Sequence, residues 1–493
     1  MIRKTAWLLG MTVLAIVVYY RGLSGAYYGD DLGFAFDDPL SKIGYFFTHP
    51  NPFGFYRPLE GAFLATVQAA CGLNTLPIHL VQICLHALLC WMVVLIMLQL
   101  GLSTIQAGLA MCFLLVCQAN VLVVLSNDTF SQSAGTFFGC VALYMLLLSL
   151  IELKSGVLRA RQLPRRREYV VSLAAFALAL LSKETSVSFI LLITGLVFIW
   201  FGTGDRKAGT TGLVRVLVEL APYFAVLLLY LLVRSIVVHT QPALGEGRNE
   251  FRLGTNIVIN LAMCVAAMSS PFSTVSVMAE LRSGEFTLLA GYAFAAMAFV
   301  ALVFAGLTVD KRRRMVLLLA GCSVIALVPM IALNHVSEAH IYNSMPFFSI
   351  LVGMGLGTLG YRAVQRKWRG LAYATLVLAL YLSHYQATQY KVGMMRANGA
   401  RATELLQQIE PFLEQVPANG ELVLANPPGE SFEYSIFALK DFNVLALGLR
   451  RSVERMSGRR DITVRIADGP TGLEGNSGRV VLTLTDGNVH AYR

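Results

Sequence analysis

Charged residues are scarce in this chain of 493 residues. Asp, Glu, Lys and Arg together make up 14% of it, whereas soluble domains carry roughly a quarter. Hydrophobic residues make up 56%, so the composition excludes an ordinary soluble domain and indicates a protein with several membrane spans. The net charge of +10 is compatible with basic loops on one side of a membrane, and it gives no reason to expect a nucleic-acid partner.

Paired cysteines are missing as well. The chain has eight cysteines, but it has no Cys-x-x-Cys spacing and no cysteine after Cys322. All eight lie in or beside apolar segments. We therefore expect neither disulfides nor a thiolate metal site.

Long apolar runs are abundant. A helix needs about 20 apolar residues to cross a bilayer, and eleven runs approach or exceed this length. They lie near 5–20, 76–100, 104–125, 131–152, 168–182, 185–202, 214–238, 287–308, 315–333, 345–362 and 370–387. The run at 254–271 is interrupted by Asn256, Asn260 and Pro271, and we predict a re-entrant or interfacial helix there.

The distribution of Lys and Arg predicts the orientation in the membrane. With the N-terminus in the cytoplasm, the basic clusters at 154–167, 206–215, 311–314 and 362–369 all face inwards, as the positive-inside rule requires. The first loop, at 21–75, then lies outside. The C-terminal region lies outside too.

Two domains are predicted. Residues 1–387 form the transmembrane domain, which includes the long first outer loop. Residues 388–493 are richer in charge and contain no run of spanning length. A helical pattern at 403–416 is followed by short β-like runs. The predicted fold class is therefore an α-helical polytopic membrane protein of about 11 transmembrane helices, with a small C-terminal extracytoplasmic α+β domain.

The first outer loop opens with two adjacent carboxylates, Asp30 and Asp31, and its aromatic-rich end carries Arg57 before Pro58. Like charges side by side at a membrane edge repel each other, which favours a functional pair. The alternative is that they cap a helix or mark the water boundary. A carboxylate in this place can serve as a general base, and Arg is suited to bind phosphate.

Further polar residues fall at the predicted outer ends of spans. They are His79, Lys183, Glu184, Glu338, His340 and Tyr342. Charges at a span boundary are costly and indicate a site. The structural alternatives are an ion pair between Lys183 and Glu184 and a hydrogen-bonded histidine at 79.

The order of these elements resembles the GT-C glycosyltransferases, and within them the protein O-mannosyltransferase-like and tetratricopeptide-linked mannosyltransferase branches. The resemblance covers roughly 1–360 and is carried by Asp30-Asp31, Tyr56-Arg57-Pro58-Leu59, His79, Lys183-Glu184 and the segment 337–342. That last segment is similar to the Glu-Arg-Tyr-x-Tyr element of these families, but Ala339 and His340 stand where the family has Arg and Tyr. Gln82 stands where many relatives have Asn.

The resemblance implies an integral membrane glycosyltransferase of hexosyl or mannosyl type. Its donor would be a polyprenyl-phosphate-linked sugar, and its acceptor a glycan, lipid or protein outside a bacterial inner membrane. Asp30 would be the general base and Asp31 the supporting carboxylate. The residues implied to bind donor phosphate or substrate are Arg57, His79, Lys183, Glu184, Glu338, His340 and Tyr342.

No cofactor is expected. The alternative is a divalent cation bound by Asp30 and Asp31 together with His335 and His340. Two other classes of function stay open. One is a transporter or flippase for a lipid-linked or polar cargo, and the other is a non-catalytic scaffold whose outer domain binds a partner.

Overall fold

The computed structural model describes residues 2–154, 157–160, 165–198, 209–238, 252–284, 286–333, 336–427, 436–437, 439–445, 448–469 and 478–492. The predicted basic cluster at 206–215 lies partly outside these ranges, as does His335. Most of the described chain is helical.

The α-helices are α1 (Ile2–Tyr19), α2 (Pro39–Tyr45), α3 (Pro58–Cys71), α4 (Leu76–Gln99), α5 (Thr104–Val116), α6 (Val121–Leu125), α7 (Phe130–Leu150), α8 (Arg166–Ser182), α9 (Ser188–Val197), α10 (Gly209–Val237), α11 (Thr255–Ser269), α12 (Thr274–Ser283), α13 (Thr287–Val309), α14 (Arg313–Ile331), α15 (Glu338–Ile341), α16 (Met345–Val364), α17 (Lys367–Ile409) and α18 (Leu449–Ser457). The strands are β1 (Ile151–Lys154), β2 (Val157–Ala160), β3 (Glu421–Ala425), β4 (Thr463–Ala467), β5 (Arg479–Thr485) and β6 (Asn488–Ala491).

Within the described residues, seven helical segments are long and apolar enough to cross a membrane. They are Trp7–Ser24, Leu76–Gln99, Asn127–Leu150, Val216–Val237, Thr287–Val309, Arg313–Ile331 and Met345–Val364. An eighth span results if α5 and the segment Gln118–Leu125, which meet at a bend of 51°, are taken together. The protein is therefore an integral membrane protein.

Three of the eleven predicted spans coincide with helices that do not reach this length and apolarity. The segments 168–182 and 185–202 correspond to α8 and α9, which are short, and 370–387 is part of the more polar α17. Helix α11 is also too short to span, with 15 residues. Its predicted re-entrant or interfacial position stays a prediction.

Close packing of the membrane helices depends on small residues. Helices α13 and α16 cross where Gly306 faces the backbone of Gly355, and Gly355 in turn lies against the Val303 carbonyl. Membrane helices commonly approach each other through such positions, because association there depends on van der Waals contact. Helices α4, α7 and α16 form the interior, since more than half of each is buried.

The first outer loop is ordered by one buried amide. Gln68, on α3, accepts a hydrogen bond from the Phe36 backbone N–H at 3.0 Å and donates to the Phe34 carbonyl at 2.6 Å. The same amide donates to the Tyr27 hydroxyl at 3.2 Å. These bonds hold the segment with Asp30 and Asp31 against α3, which lies in the same loop.

The predicted C-terminal α+β domain is confirmed. Its four-stranded sheet has the order β4-β3-β5-β6, with β3 parallel to both β4 and β5 and β6 antiparallel to β5. Helix α17 runs without interruption through residue 388, the predicted start of this domain. The domain is thus joined to the membrane helices by a continuous helix of 43 residues.

The C-terminal domain also packs directly on the first outer loop. Gly448 lies against the backbone of Leu32, so closely that a Cβ would overlap it. Leu439 lies beside Gly29, and Arg451 donates to the Ala35 carbonyl at 3.3 Å. The loop is therefore held between α3 and this domain.

We predict that Gly306→Ala lowers the thermal stability of the protein in detergent. The added methyl group would meet the Gly355 carbonyl, which cannot move by side-chain rotation, and overpacking of this kind costs about 1–3 kcal/mol. Gly291→Ala on the same helix is the control, because open space surrounds Gly291. Equal melting temperatures for the two variants would contradict the close crossing of α13 and α16.

Candidate active site

Asp30 and Asp31 lie in a short 3-10 helix, Gly29–Phe34, that follows the first span. Gly29 has a φ of 55°, in the left-handed region that glycine adopts without strain. The turn directs the two carboxylates differently: Asp31 is 2% exposed, and Asp30 is half-buried. The adjacent carboxylates therefore have unlike environments.

The Asp31 carboxylate is bound by the segment between α6 and α7. Its Oδ1 accepts hydrogen bonds from the Ser126 hydroxyl at 3.1 Å and from the Asp128 backbone N–H at 2.9 Å. Its Oδ2 accepts from the Asn127 side-chain amide at 2.9 Å. Burial, and after it the nearby Asp128 carboxylate, raise the pKa of Asp31 well above its usual range. Asp31 thus anchors the loop and is suited to carry a proton.

Arg57 forms a bidentate ion pair with Glu184, which is 127 residues away in sequence. Nε and one terminal nitrogen donate to the two carboxylate oxygens at 2.8 and 2.6 Å. The guanidinium also lies over the Phe55 ring and 3.8 Å from Glu60. Burial alone would raise the pKa of Glu184, but Arg57 outweighs it and lowers that pKa to about 2.

Lys183 is a buried cation beside this pair. Its backbone is extended and separates α8 from the 3-10 helix Glu184–Val187. Gly135 on α7 has no side chain and so leaves room for the Lys183 Cβ. The residue is 8% exposed, and within the described ranges its Nζ forms no hydrogen bond or ion pair. Burial, and secondly Arg57, lower its pKa to about 8.

Asp128 links these groups electrostatically. Its carboxylate accepts a hydrogen bond from Ser126 at 2.6 Å, the same hydroxyl that reaches Asp31. Its negative charge also favours the protonated forms of Arg57 and Lys183. We refer to Asp31, Arg57, Asp128, Lys183 and Glu184 as the outer cluster.

The structure therefore brings together four of the predicted site residues, and sequence reasoning missed the fifth member of the cluster. Asp128 was not among the predicted site residues. The available signal was a carboxylate at the predicted outer end of a span, the same signal that singled out Glu184.

His79 lies apart from the ion pairs of the outer cluster. It is buried at the start of α4, where its ring contacts Gly25, and its Nδ1 has no hydrogen-bond partner among the described residues. One turn further on, Gln82 donates to the carbonyls of Val123 and Ser126. Gln82 thus supports the segment that binds Asp31.

The three late residues have different surroundings. Tyr342 is buried and its hydroxyl lies 2.8 Å from His86 Nδ1, within the membrane core. His340 accepts a hydrogen bond from the Ser337 backbone N–H at 3.3 Å, as part of a capping box for α15. Glu338 forms an ion pair with Lys391 at 2.5 Å. Their roles in binding substrate stay predictions.

No group of three or more His, Cys, Asp or Glu side chains suited to a metal is found within the described ranges. The Asp31 oxygens already accept three hydrogen bonds, which leaves them poorly placed to bind a cation. The expectation that no cofactor is needed stays a prediction.

The fold is similar to that of ArnT from Cupriavidus metallidurans. The apo structure of ArnT matches with a TM-score of 0.50 and 14% sequence identity over 98% of this chain and 93% of ArnT. ArnT bound to undecaprenyl phosphate matches with a TM-score of 0.48 and 15% identity, over 98% and 94% of the two chains. The archaeal oligosaccharyltransferase AglB from Archaeoglobus fulgidus, in complex with an inhibitory peptide and a dolichol-phosphate, matches with a TM-score of 0.41 and 13% identity, over 85% and 62%.

No protein-family model and no curated protein sequence matches the chain. ArnT is a GT-C membrane glycosyltransferase, so the match to its apo structure confirms the predicted GT-C-like fold class. The mannosyltransferase-like branch stays a prediction.

We predict that Glu184→Gln lowers the free energy of unfolding by about 1.5–3 kcal/mol, because Arg57 loses a charged hydrogen-bond partner. The folded pKa of Glu184, about 2, lies below its ordinary value of 4.5. The stabilisation is therefore present above about pH 4.5 and is lost as the pH falls towards 2. The difference in melting temperature between wild type and variant should shrink over that interval.

Glu404→Gln is the control for this measurement, because the Arg401–Glu404 pair is largely exposed and such pairs contribute little. A melting temperature for Glu184→Gln that equals that of the control at pH 7 would contradict the importance of the Arg57–Glu184 pair.

Proposed function

We propose that this protein is a glycosyltransferase that transfers a sugar from a polyprenyl-phosphate-linked donor to an acceptor outside the membrane. The observation that carries the proposal is the outer cluster, in which Lys183, a residue only 8% exposed, has no ion-pair partner among the described residues. The ArnT-like fold supports it.

Within the outer cluster, Lys183 is the cation available to an anionic ligand. Arg57 and Glu184 neutralise each other in a bidentate pair. Burial raises the pKa of both Asp31 and Glu60, and the Asp128 carboxylate adds a negative charge near Lys183. The phosphate of a lipid-linked donor would supply the charge-assisted hydrogen bonds that Lys183 lacks.

Asp30 is the proposed general base. It would accept the proton of the acceptor hydroxyl or amine as that group attacks the anomeric carbon, while the polyprenyl phosphate leaves. Asp31, fixed by three hydrogen bonds, would hold the turn that presents Asp30. His79, Glu338, His340 and Tyr342 are proposed to contribute to donor or substrate binding.

The proposed location is a bacterial inner membrane. The N-terminus would lie in the cytoplasm, and the first outer loop and the sheet domain outside, as the basic residues of the short loops favour. The packing of Gly448 and Arg451 on the first outer loop supports a common side for these two parts. The acceptor is proposed to be a glycan, a lipid or a protein.

We predict that Asp30→Asn lowers the transfer rate by about 10²–10⁴-fold, the usual contribution of a general base, and leaves binding of the donor lipid intact. The measurement is transfer of labelled sugar by the purified protein in nanodiscs, with binding of undecaprenyl phosphate measured in parallel. Asp37→Asn is the matched control, because Asp37 is exposed and lies in the same loop.

Asp31→Asn should lower the melting temperature as well as the activity, because it weakens the anchor of the loop. Full transfer activity in both Asp30→Asn and Asp31→Asn would reject the mechanism and favour a transporter or a scaffold.

We predict that donor binding weakens as the pH rises through about 8. The pKa of Lys183 is lowered to about 8, so its positive charge is present below that pH and is lost above it. Lys183→Arg keeps the charge, so the loss of binding should move to a higher pH. Lys183→Met should weaken binding at every pH. Lys42→Arg is the control, and an unchanged pH dependence in Lys183→Arg would contradict the assignment.

A further inference from the structure

A second buried cation, Lys391, lies outside the outer cluster and was not anticipated from the sequence. It is on α17 and is 0% exposed. Its Nζ lies 2.5 Å from Glu338 Oε1, and it donates to Thr274 Oγ1 at 3.0 Å and to the Gln118 carbonyl at 3.3 Å. It also bonds to the side-chain oxygen of Gln118. One ammonium thus joins α17 to three other parts of the chain.

The ion pair is costly for a merely structural contact. Taking both charges out of water costs several kcal/mol per ion, and apolar residues of similar volume often stabilise a core better. Charged residues in membrane domains are rare and usually functional. The pair of Lys391 and Glu338 is therefore a candidate for a role in the reaction.

One oxygen of the pair has no partner. Glu338 Oε1 accepts hydrogen bonds from Lys391 and Thr274, but the buried Oε2 has no partner among the described residues. A buried acceptor without a partner destabilises the protein. A hydroxyl group of a ligand would donate the missing hydrogen bond, and the Glu338 side chain is 11% exposed.

Helix α17 connects the pair to the turn with the proposed base. Asn398 follows Lys391 by seven residues on α17, which is two turns and about 10 Å along the helix. Asn398 lies beside the Tyr28 side chain, and Tyr28 directly precedes the turn with Asp30. The pair and this turn therefore both lie beside the same helix, about two turns apart along its axis.

The C-terminal domain covers the pair. The Phe437 ring lies 5.1 Å from Lys391 Nζ, and Asn398 holds this residue by donating to its carbonyl at 3.1 Å. The ring excludes water from the pair, which strengthens hydrogen bonds made there.

We propose that Glu338 Oε2 accepts a hydrogen bond from a hydroxyl group of the donor sugar, and that Lys391 is the positioning residue that holds Glu338 for this contact. The inference rests on the proposed function. It assigns the lipid phosphate to the Lys183 side of the site and the sugar to the Lys391 side.

The test compares lipids with and without a sugar. Binding of undecaprenyl phosphate, undecaprenyl phosphate mannose and undecaprenyl phosphate glucose is measured on the full-length protein in nanodiscs. Lys391→Met and Glu338→Gln should weaken binding of the better glycosylated lipid by about tenfold and leave binding of undecaprenyl phosphate unchanged. Lys183→Met should weaken binding of all three lipids.

Two variants separate positioning from folding. Lys391→Arg keeps the positive charge and should restore part of the lost affinity. Thr274→Val removes the other donor to Glu338 Oε1 but keeps the ion pair, and it should change the affinity less than Lys391→Met does. Glu338→Gln keeps the shape of the side chain, so it carries the test if Lys391→Met does not fold.

The outcomes are distinct. If the wild type binds glycosylated lipids no more tightly than undecaprenyl phosphate, or if Glu338→Gln binds all three lipids as the wild type does, the inference is overturned and the proposed function stands. If the wild type binds none of the three and transfers no sugar, the proposed function falls and the inference falls with it.

Discussion

The rest of the site depends on the burial of one carboxylate, Asp31. Three hydrogen bonds from the segment before α7 compensate for its removal from water, and they fix the first outer loop to that helix. Helix α7 packs along α8, which ends at Ser182 directly before Lys183, and Gly135 lets the two helices approach. The position of Lys183 relative to Asp30 therefore follows from helix packing. A loop of this length without such an anchor could not hold a catalytic group at a defined distance.

Hydropathy and charge predict much of the fold, because the bilayer imposes length and apolarity on every span. The sheet domain was equally accessible, since its short β-like runs follow a helical pattern in a region that is richer in charge. The number of spans was not, because α8 and α9 are short and α17 is more polar than a typical span. The pairing of Arg57 with Glu184 was not predicted, and Lys183 was the alternative partner considered for Glu184. Nothing local in the sequence shows which of several boundary carboxylates an arginine will meet.

Asp128 and Lys391 were missed for a related physical reason. Each is a single charge whose partner is distant in sequence, and each lies where a solvent-exposed residue was equally reasonable. Lys391 follows the end of a predicted span and was assigned to the soluble domain. Because α17 continues as one helix, this lysine is instead carried into the protein interior, where Glu338 meets it. A domain boundary inferred from composition, such as the one at residue 388, therefore does not reveal that a charged residue just beyond it is buried.

The two buried cations, Lys183 in the outer cluster and Lys391 on α17, are connected through the buried backbone around α6. Lys391 bonds to Gln118, Asp31 bonds to the segment that starts at Ser126, and between them runs the fully buried helix α6. Gln82 and Thr129 donate hydrogen bonds to the carbonyls at the end of this helix. The distance between the Lys391 pair and the outer cluster is thus set by main chain and not by long, mobile side chains. For the proposed transferase, this fixed spacing would hold the phosphate and the sugar apart while the bond between them breaks, so that little reorganisation is needed during the reaction.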